Sequence, residues 1–446
     1  MRRRSRHTGG LSFGTIAALT LLGLVAIGCV FLFPRLMGNV QLRIDPQRVG
    51  VAIDSSLRSL RNLSAAPADT ASSGAVPNAT PATAPPLEVA VSDTPQPTAS
   101  PVQTHTLSLT VGGALKVDNA IQKTCSGSDG YTFGPVFNSL SAFWTGNINL
   151  ATLENLSVPR EKLTDINMPS DALTALAVSG VQALCLGFPG VLNNGMDGLA
   201  ATLNAVSLAG MTPYGAYTSL ESRNHITTLQ VQDTMLAFLS FQNDLSAAGK
   251  KAATREEQAY AIAPLTLPTI EADIAAARAA GAQIVVVSLR WGKSGAISPT
   301  ATQRDLAQSI ADAGADILLG TGTGAVQNVE LLTAHRKDGS THTVLCAYSL
   351  GNLLASDRSD RENISGVLLH IGFNYNLAAD NLQFDSLTYT PTYVWRGKTD
   401  GKTFYRIVPS NASPPSDMSE DQQKVMERCL ALIRDRLADS PIQEAH

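Results

Sequence analysis

The sequence predicts a layered α/β domain that follows an apolar anchor and a linker. From residue 106 to residue 352, strand-like apolar runs alternate with helical patterns of about 10–15 residues, which is typical of α/β layers. Residues 11–33 contain no charged side chain. Residues 64–104 consist mainly of Ala, Pro, Thr and Ser, so they lack the large apolar groups that offset the entropy of chain ordering. We expect a disordered linker there.

The first predicted element is a membrane anchor at residues 11–34, preceded by a basic tail at residues 1–10. A run of about 20 apolar residues is long enough to cross a bilayer as a helix. Four of the first six residues are arginine, so the positive-inside rule predicts a single-pass cell-membrane protein with a cytoplasmic N-terminus. A cleaved signal peptide and a lipoprotein signal ending at Cys29 are the alternatives, but the apolar run continues past Cys29.

Beyond the anchor, a juxtamembrane segment and the linker occupy residues 35–104. The predicted extracytoplasmic domain covers residues 105–409, and a helical tail covers residues 410–446. The net charge of −4 gives no electrostatic basis for nucleic-acid binding. Five cysteines without a CxxC pair indicate neither a zinc site nor a disulfide framework. Cys185 and Cys346 lie in apolar runs, which favours small buried hydrophobes.

Periodicity and end signals predict the elements of the domain in chain order. Strands are predicted in TLSLTVGGAL, NINLATLENL, VQALCLGF, MTPYGA, QIVVVSLRWG and ADILLG, with hairpins around ITTLQVQDTMLAFLSF and at Asp338-Gly339. Helices are predicted in FGPVFNSLSAFW, PSDALTALAVSG, MDGLAATLNAVSLAG, LPTIEADIAAARAAG and ATQRDLAQSIADAG. Two long strands, GVLLHIGFNYN and LQFDSLTYTPTYVW, precede a C-terminal helix. Functional residues are expected in the loops that follow the strands, VGGAL among them.

One such loop, GTGTGAVQ, resembles a dinucleotide-binding fingerprint. Gly320, Gly322 and Ala325 have the G-x-G-x-x-A spacing that lets a backbone approach a pyrophosphate. The fingerprint also requires an acidic residue about 20 positions later, where this chain has Thr341–Thr343. The pattern therefore does not predict a nucleotide site.

From about Leu107 to Pro409 the sequence resembles the CapA proteins associated with poly-γ-glutamate capsule synthesis. GMDGLAATLNAVSLAGMTPYGA and QRDLAQSIADAGADILLG resemble two helix–strand units of that family, and AYSLGNLL resembles its Ser-Leu-Gly-Asn motif. YTPTYVWR and YRIVP resemble its C-terminal strands. The resemblance implies a calcineurin-like metallophosphoesterase fold, a layered α-β-β-α sandwich.

The chain departs from this family at the metal-ligand motifs. Gly112-Gly113 replaces Gly-Asp, and Thr152-Leu153-Glu154 replaces Asn-Leu-Glu. Asn-Asn-His, His-Trp-Gly and the histidine loop have become Phe188-Pro189-Gly190, Arg290-Trp291-Gly292 and Thr321-Gly322-Thr323-Gly324. Glu154 alone cannot hold two metal ions. We therefore expect no metal, no other cofactor and no catalytic residue.

Six candidate pocket residues remain: Glu154, Arg290, Trp291, Thr321, Thr323 and Asn352. Glu154 either contacts a ligand or bonds to loop backbone, and the second is favoured. Arg290 either binds an anion bidentately or pairs with Glu154, and we favour the pair. Trp291 is a stacking platform or, preferably, a core residue, and Asn352 is interpreted as a turn cap.

The expected function is that of a pseudoenzyme of the bacterial cell envelope. The protein would bind or scaffold an anionic envelope polymer or the capsule synthesis machinery, without catalysis. The alternative is an active CapA-type metal-dependent enzyme, phosphoesterase-like or ligase-associated, that uses non-standard ligands.

Overall fold

The computed structural model describes residues 104–159, 162–164, 167–336 and 339–445, which belong to one compact unit, Pro95–His446. Within these residues no helix is long and apolar enough to cross a bilayer. The predicted anchor at residues 11–34, its basic tail and the linker up to residue 103 lie outside the described residues. Asp338 of the predicted second hairpin turn lies outside them too.

A mixed sheet of nine strands forms one layer of the described unit. Its strands are β1 (Thr104–Leu115), β2 (Ile148–Leu153), β5 (Ala183–Cys185), β6 (Thr212–Tyr214), β13 (Asn352–Leu354), β14 (Ser365–Asn376), β15 (Asn381–Thr399), β16 (Lys402–Pro409) and β17 (Gln443–Glu444). The order is β16-β15-β14-β1-β2-β5-β6, with β13 paired to β1 and β17 paired to β15. β1 therefore lies at the centre of the sheet, parallel to β2 and antiparallel to β14.

A second sheet of six strands packs against the first. Its strands are β7 (Thr227–Val231), β8 (Thr234–Gln242), β9 (Ile284–Arg290), β10 (Ile317–Thr321), β11 (Val329–His335) and β12 (Thr341–Ala347), in the order β11-β12-β10-β9-β8-β7. The hairpins predicted from the sequence are present as β7–β8 and β11–β12. A small pair, β3 (Leu156–Ser157) with β4 (Asn167–Met168), stands apart.

Ten α-helices occur in the described residues. They are α1 (Asn119–Cys125), α2 (Gly134–Phe137), α3 (Asp171–Ser179), α4 (Gly195–Leu208), α5 (Leu220–Asn224), α6 (Ala247–Ala252), α7 (Arg255–Ala261), α8 (Leu267–Ala279), α9 (Ala301–Asp312) and α10 (Glu420–Arg436). The predicted helix FGPVFNSLSAFW is α2 followed by a 3₁₀ turn at Asn138–Phe143. Glycines end the longer predicted helices: Gly180 after α3 has φ 119° and Gly210 after α4 has φ 86°.

Three apolar cores give the unit its layers. The central core lies between the sheets, where Leu109 and Leu150 of the first sheet meet Val286 and Leu319 of the second. A second core lies between the other face of the nine-stranded sheet and helices that include α3, α4 and α10. A third lies between the six-stranded sheet and helices α8 and α9. The order of layers is thus helix, sheet, sheet, helix, and the predicted mixed α/β class is confirmed.

Residues Tyr348–Gly351 carry the chain from one sheet to the other, because β12 belongs to the second sheet and β13 to the first. The crossing backbone passes so close to both sheets that the positions facing it must be glycines without a Cβ. A Cβ on Gly113 of β1 would lie 2.3 Å from the carbonyl oxygen of Gly351, and one on Gly320 of β10 would lie 1.9 Å from that of Tyr348. The Ala114 amide donates to the Gly351 carbonyl at 3.0 Å.

This geometry corrects the placement of one glycine pair and explains a third glycine. Gly112 and Gly113 are not in a loop, since β1 continues to Leu115. Gly320 does not adopt a positive φ; it is a glycine because the crossing backbone leaves no room for a side chain.

We expect Gly113→Ala to lower the free energy of unfolding by about 3 kcal/mol or to prevent folding, because the new methyl group overlaps the crossing backbone. Gly127→Ala is the matched control, since its Cβ would come no closer than 3.6 Å to its nearest neighbour, the Gly130 carbonyl oxygen. Thermal unfolding of the full chain in detergent measures both variants. Equal melting temperatures for the two variants would contradict the close approach.

Candidate functional site

A polar pocket of about 260 Å³ opens at the carboxyl ends of the central strands of both sheets. Glu154 directly follows β2, Arg290 ends β9, and Gly322 and Gly324 follow β10. Asn352 of β13, directly after the crossing segment, lines the side of the pocket. The lining residues are Lys116, Asp118, Glu154, Arg290, Ser294, Gly322, Gly324, Asn352, Ala355, Asp357 and Asn363.

An ion pair between Glu154 and Arg290 joins the two sheets within this pocket. The Arg290 guanidinium Nη1 donates to Glu154 Oε1, and each side chain is 21% exposed. The Glu154 amide donates to the Leu115 carbonyl at 2.9 Å, which fixes the start of its loop. Gly322, at φ 100°, leaves room for Arg290: a Cβ there would lie 3.0 Å from Arg290 Cγ. The predicted pairing of Arg290 with Glu154 is confirmed. The expected bond from Glu154 to loop backbone is not found among the described residues.

Two further carboxylates in the pocket hold the local backbone. Asp118 caps α1, because its Oδ1 accepts the amides of Ala120 and Ile121 at 3.0 and 3.2 Å, and its Oδ2 accepts the Ser356 hydroxyl at 2.5 Å. Asp357 accepts the Ser359 amide at 2.8 Å and the Asn363 amide group at 3.1 Å.

The hydrogen bond from the Ser359 amide is the main cause that holds the pKa of Asp357 below its ordinary value. This carboxyl group is therefore ionised at neutral pH. Three acidic side chains (Asp118, Glu154, Asp357) and two basic ones (Lys116, Arg290) line the pocket, which gives a formal balance of −1.

Three of the candidate residues lie beneath the pocket rather than on its surface. Trp291 follows Arg290, so it points to the opposite side of the strand and belongs to the core on the helix side of the second sheet. Its indole N–H donates to the Tyr348 carbonyl at 2.9 Å, and the two rings stack at 5.7 Å. The interpretation of Trp291 as a core residue is confirmed. Thr321 and Thr323 are also buried.

The remaining polar candidates stabilise the loops. The Thr323 hydroxyl lies 2.9 Å from the Ala325 carbonyl oxygen and 2.8 Å from the Ser349 hydroxyl, within the buried start of the crossing. Asn352 donates from Nδ2 to the Asn363 carbonyl at 3.1 Å, next to the 3₁₀ turn Glu362–Ile364. This contact agrees with the interpretation of Asn352 as a turn cap. Gly322 and Gly324 have φ values of 100° and 76°, in the left-handed region that favours glycine.

The donors present in the pocket do not fit a transition-metal pair. Such a site needs several His, Asp or Asn ligands that converge on the ions. Among the described residues no group of three or more His, Cys, Asp or Glu side chains is arranged for a metal, and no histidine lines the pocket. The cation of Arg290 also opposes a divalent ion beside Glu154. An Asp at position 113 would meet the Gly351 carbonyl, so the present backbone has no room for that ligand.

Five pocket residues were not expected from the sequence: Lys116, Asp118, Ser294, Asp357 and Asn363. Asp118 carried a detectable signal, because an Asp two residues before an apolar helical position is a frequent N-cap. The segment that holds Asp357 and Asn363 carried none. It reaches the pocket only because the chain crosses between the sheets immediately before it.

The fold and the pocket place the protein in a class of mixed α/β proteins. Two stacked sheets carry helices on both outer faces, and a polar pocket lies at the shared carboxyl edge of the sheets. The family description "Bacterial capsule synthesis protein PGA_cap" matches residues 108–357. The chain belongs to this family, the CapA family.

Curated relatives agree with the family. The chain is 26% identical over 224 residues to the PGA biosynthesis protein CapA of Bacillus subtilis (strain 168), across 50% of this chain and 55% of the relative. It is 25% identical over 194 residues to the capsule biosynthesis protein CapA of Bacillus anthracis, across 44% of this chain and 45% of the relative. The chain thus spans about half the length of each of these relatives.

Two solved structures are similar to this chain, with low TM-scores and low sequence identity. One is the NAD nucleotidase of Haemophilus influenzae, with a TM-score of 0.38 and 10% identity over 77% of this chain and 64% of that one. The other is a phosphatase of Mycoplasma pneumoniae, with a TM-score of 0.36 and 9% identity over 65% of this chain and 94% of that one. Similarity at this level assigns no role to any residue.

We expect Glu154→Ala to lower the free energy of unfolding by about 2 kcal/mol, because it leaves the half-buried Arg290 without its carboxylate. The double variant Glu154→Ala/Arg290→Ala should be more stable than the sum of the single variants predicts, by about 1 kcal/mol. Urea unfolding of the four proteins measures the coupling.

The matched control is Asp417→Ala, which removes the exposed ion pair to Arg406 at 3.3 Å. This change should cost less than about 1 kcal/mol. Strict additivity of the Glu154 and Arg290 changes would show that the two side chains do not interact in solution.

Proposed function

We propose that this protein is a membrane-anchored, extracytoplasmic CapA protein that supports poly-γ-glutamate capsule synthesis as a non-catalytic binding or scaffolding component. Membership of the capsule synthesis family supports the process, and the printed names of the two Bacillus relatives refer to PGA and capsule biosynthesis. The four early arginines and the uncharged run that follows support the anchor and its orientation. The stacked sheets with helices on both outer faces support the calcineurin-like metallophosphoesterase assignment of the fold.

The non-catalytic role rests mainly on the ion pair between Glu154 and Arg290. Metallophosphoesterase chemistry needs metal ions to activate water and to polarise the phosphoryl oxygen. By resemblance, Gly113, Gly190, Arg290, Thr321 and Gly324 stand where ligands belong, and Arg290 engages the one retained carboxylate. The arrangement stabilises the contact between the sheets, and the described part of the chain offers no cluster of side chains that could hold a metal ion to activate water.

The charges of the pocket favour scaffolding over tight binding of a polyanion. Arg290 is engaged by Glu154, and Asp118 and Asp357 add negative charge. The exposed Lys116 is the other cation of the lining. An anionic polymer would therefore gain little attraction here, which supports the capsule synthesis machinery as the partner.

Purified full-length protein should contain no stoichiometric Mn, Fe or Zn by elemental analysis, and it should not hydrolyse bis(p-nitrophenyl) phosphate above background. The reason is the missing ligand set. Metal at one or more ions per chain that is lost in Glu154→Ala but retained in Asp417→Ala would overturn the non-catalytic role and favour the metal-dependent enzyme.

A genetic test separates scaffolding from catalysis in the native host. Deletion of the gene should lower surface polymer, and the wild-type chain should restore it. Glu154→Gln keeps the shape of the side chain, so it should restore polymer to a similar level as long as the protein accumulates. Loss of polymer with normal accumulation of Glu154→Gln would contradict a purely scaffolding role.

The proposed topology predicts that protease added to intact protoplasts releases the folded domain by cutting the linker within residues 64–104. Composition makes this segment the preferred cleavage site. Released fragments are measured by immunoblot against the C-terminus, and an antibody against a cytoplasmic enzyme controls for lysis. Complete protection of a folded domain would refute this orientation.

A further inference from the structure

A groove of about 880 Å³ lies on the outer face of the nine-stranded sheet, away from the pocket of Glu154. Its floor is formed by β1, β14 and β15. One wall is the segment that includes Phe143 and Gly146, and the other includes Ala412 and the C-terminal residues near Glu444. Lys116 directly follows β1 and lies six positions beyond Thr110, which is about 20 Å of extended chain. The two sites are therefore distinct.

Hydroxyl groups line the floor of this groove. Ser108 and Thr110 of β1 and Ser386, Thr388 and Thr390 of β15 face it. Their neighbours in sequence, such as Leu109 and Tyr389, belong to the core on the other face of the sheet. An alternation of this kind is expected for a sheet with one apolar and one polar face. Here the polar face carries hydroxyls rather than the charged side chains that usually meet water.

His370 connects two of these hydroxyls across the strands. Its Nδ1 lies 3.2 Å from Thr110 Oγ1, and its Nε2 lies 2.9 Å from Thr390 Oγ1. Thr110 Oγ1 also accepts the Gly146 amide at 3.0 Å. Burial lowers the pKa of His370, so the imidazole is neutral at pH 7 and carries one N–H.

The hydrogen bonds that link Thr110, His370 and Thr390 leave one donor without an acceptor in the part of the chain that the structure describes. The neutral imidazole contributes one N–H and the two threonines contribute two O–H groups, which makes three donors for two links. One hydroxyl proton, on Thr110 or on Thr390, is left without an acceptor among the described residues. Both threonines are almost fully buried yet line the groove. A buried donor of this kind is stabilised by an acceptor that enters the groove.

The described residues that line the groove carry no net charge. Arg434 and Glu444 at its edge form a bidentate pair, with N–O distances of 2.7 and 2.8 Å. His370 is neutral, and the other lining residues are uncharged. The groove therefore offers no attraction to a polyanion, in contrast to a site built for carboxylates or phosphates.

Phe143 supplies an apolar wall. Its ring is half-buried, since it packs partly against the core that covers this face of the sheet. An aromatic face beside rows of hydroxyls suits a ligand with an apolar C–H face and a hydroxyl-rich rim, which is the structure of a pyranose ring. A volume of about 880 Å³ is within the range of small-molecule sites and holds about two or three such rings.

We propose that this groove binds a neutral glycan segment, in addition to and independently of the function proposed for the Glu154 pocket. Thr110, Thr388 and Thr390 exchange hydrogen bonds with the sugar hydroxyls, and Phe143 packs against a ring face. The occupant is uncharged because the lining residues that the structure describes provide no free charge.

The test uses the full-length protein in detergent with three neutral trisaccharides: maltotriose, cellotriose and triacetylchitotriose. Saturation-transfer NMR should show binding of at least one of them, with a Kd of about 1 mM. Ala412→Trp fills the exposed rim of the groove without touching the core, so it should abolish binding. Phe143→Ala and Thr388→Val should each weaken binding about threefold to tenfold. The control Gln383→Ala lies exposed on β15 outside the groove and should bind as wild type does.

Circular dichroism and melting temperature confirm that each variant is folded. Tri-γ-glutamate and trigalacturonate serve as anionic comparison ligands. Equal binding by wild type and Ala412→Trp, or no binding of any neutral trisaccharide at about 20 mM, which is far above the expected Kd, would overturn the proposal. Preference for the anionic ligands with the same sensitivity to Ala412→Trp would also overturn it.

Discussion

The crossing of the chain between the two sheets at Tyr348–Gly351 constrains the rest of the structure. Its backbone is packed so closely against Gly113 and Gly320 that neither position accepts a Cβ. The Val367 amide of β14 donates to the Leu350 carbonyl at 3.1 Å, and the Gln327 amide donates to that of Ser349 at 2.9 Å. Both sheets therefore share one segment of main chain, and their carboxyl edges are held next to each other.

The pocket follows from this arrangement. Once the carboxyl edges adjoin, the first side chains beyond β2 and at the end of β9 face each other, and these are Glu154 and Arg290. A half-buried charge without a partner is costly, so a carboxylate retained at position 154 needs a neighbouring cation or a metal ion. Arg290 meets this requirement within the chain. By resemblance, metal ions would bind at this surface. Here the ion pair between Glu154 and Arg290 stabilises it instead, and the two sheets keep their arrangement.

The sequence predicted the parts of the fold that local patterns determine. Helices α3, α4, α8 and α9 end near glycines and were expected, as were the two hairpins. Helices α6 and α7 were missed, because residues 247–261 are rich in charge and show no apolar periodicity. The order of strands within the sheets has no local signal, since it is determined by contacts between distant segments.

The site was predicted only in part, because some of its residues meet through contacts between distant segments of the chain. Glu154, Arg290 and Asn352 could be placed from motif positions, and the pairing of the first two followed from charge. Thr321 and Thr323 were expected to line the pocket but are buried. Trp291 lies in the core, as the favoured interpretation predicted, and the alternation of side chains along the strand gives the reason. Asp357 and Asn363 became neighbours of Glu154 only through the crossing, which no pattern in their own segment indicates.

The central position of β1 also determines when the unit can fold. β1 is the first described strand, yet one of its edges is completed by β14, with Thr104 opposite Asn376 and Gly112 opposite Leu368. That edge stays unsatisfied until nearly the whole domain is available, whether the chain emerges from a ribosome or from a translocation channel. Contacts between such distant residues slow folding. An exposed strand edge that waits for its partner is also prone to aggregation. This protein should therefore depend on assistance by chaperones during its biogenesis more than a domain built from neighbouring strands would.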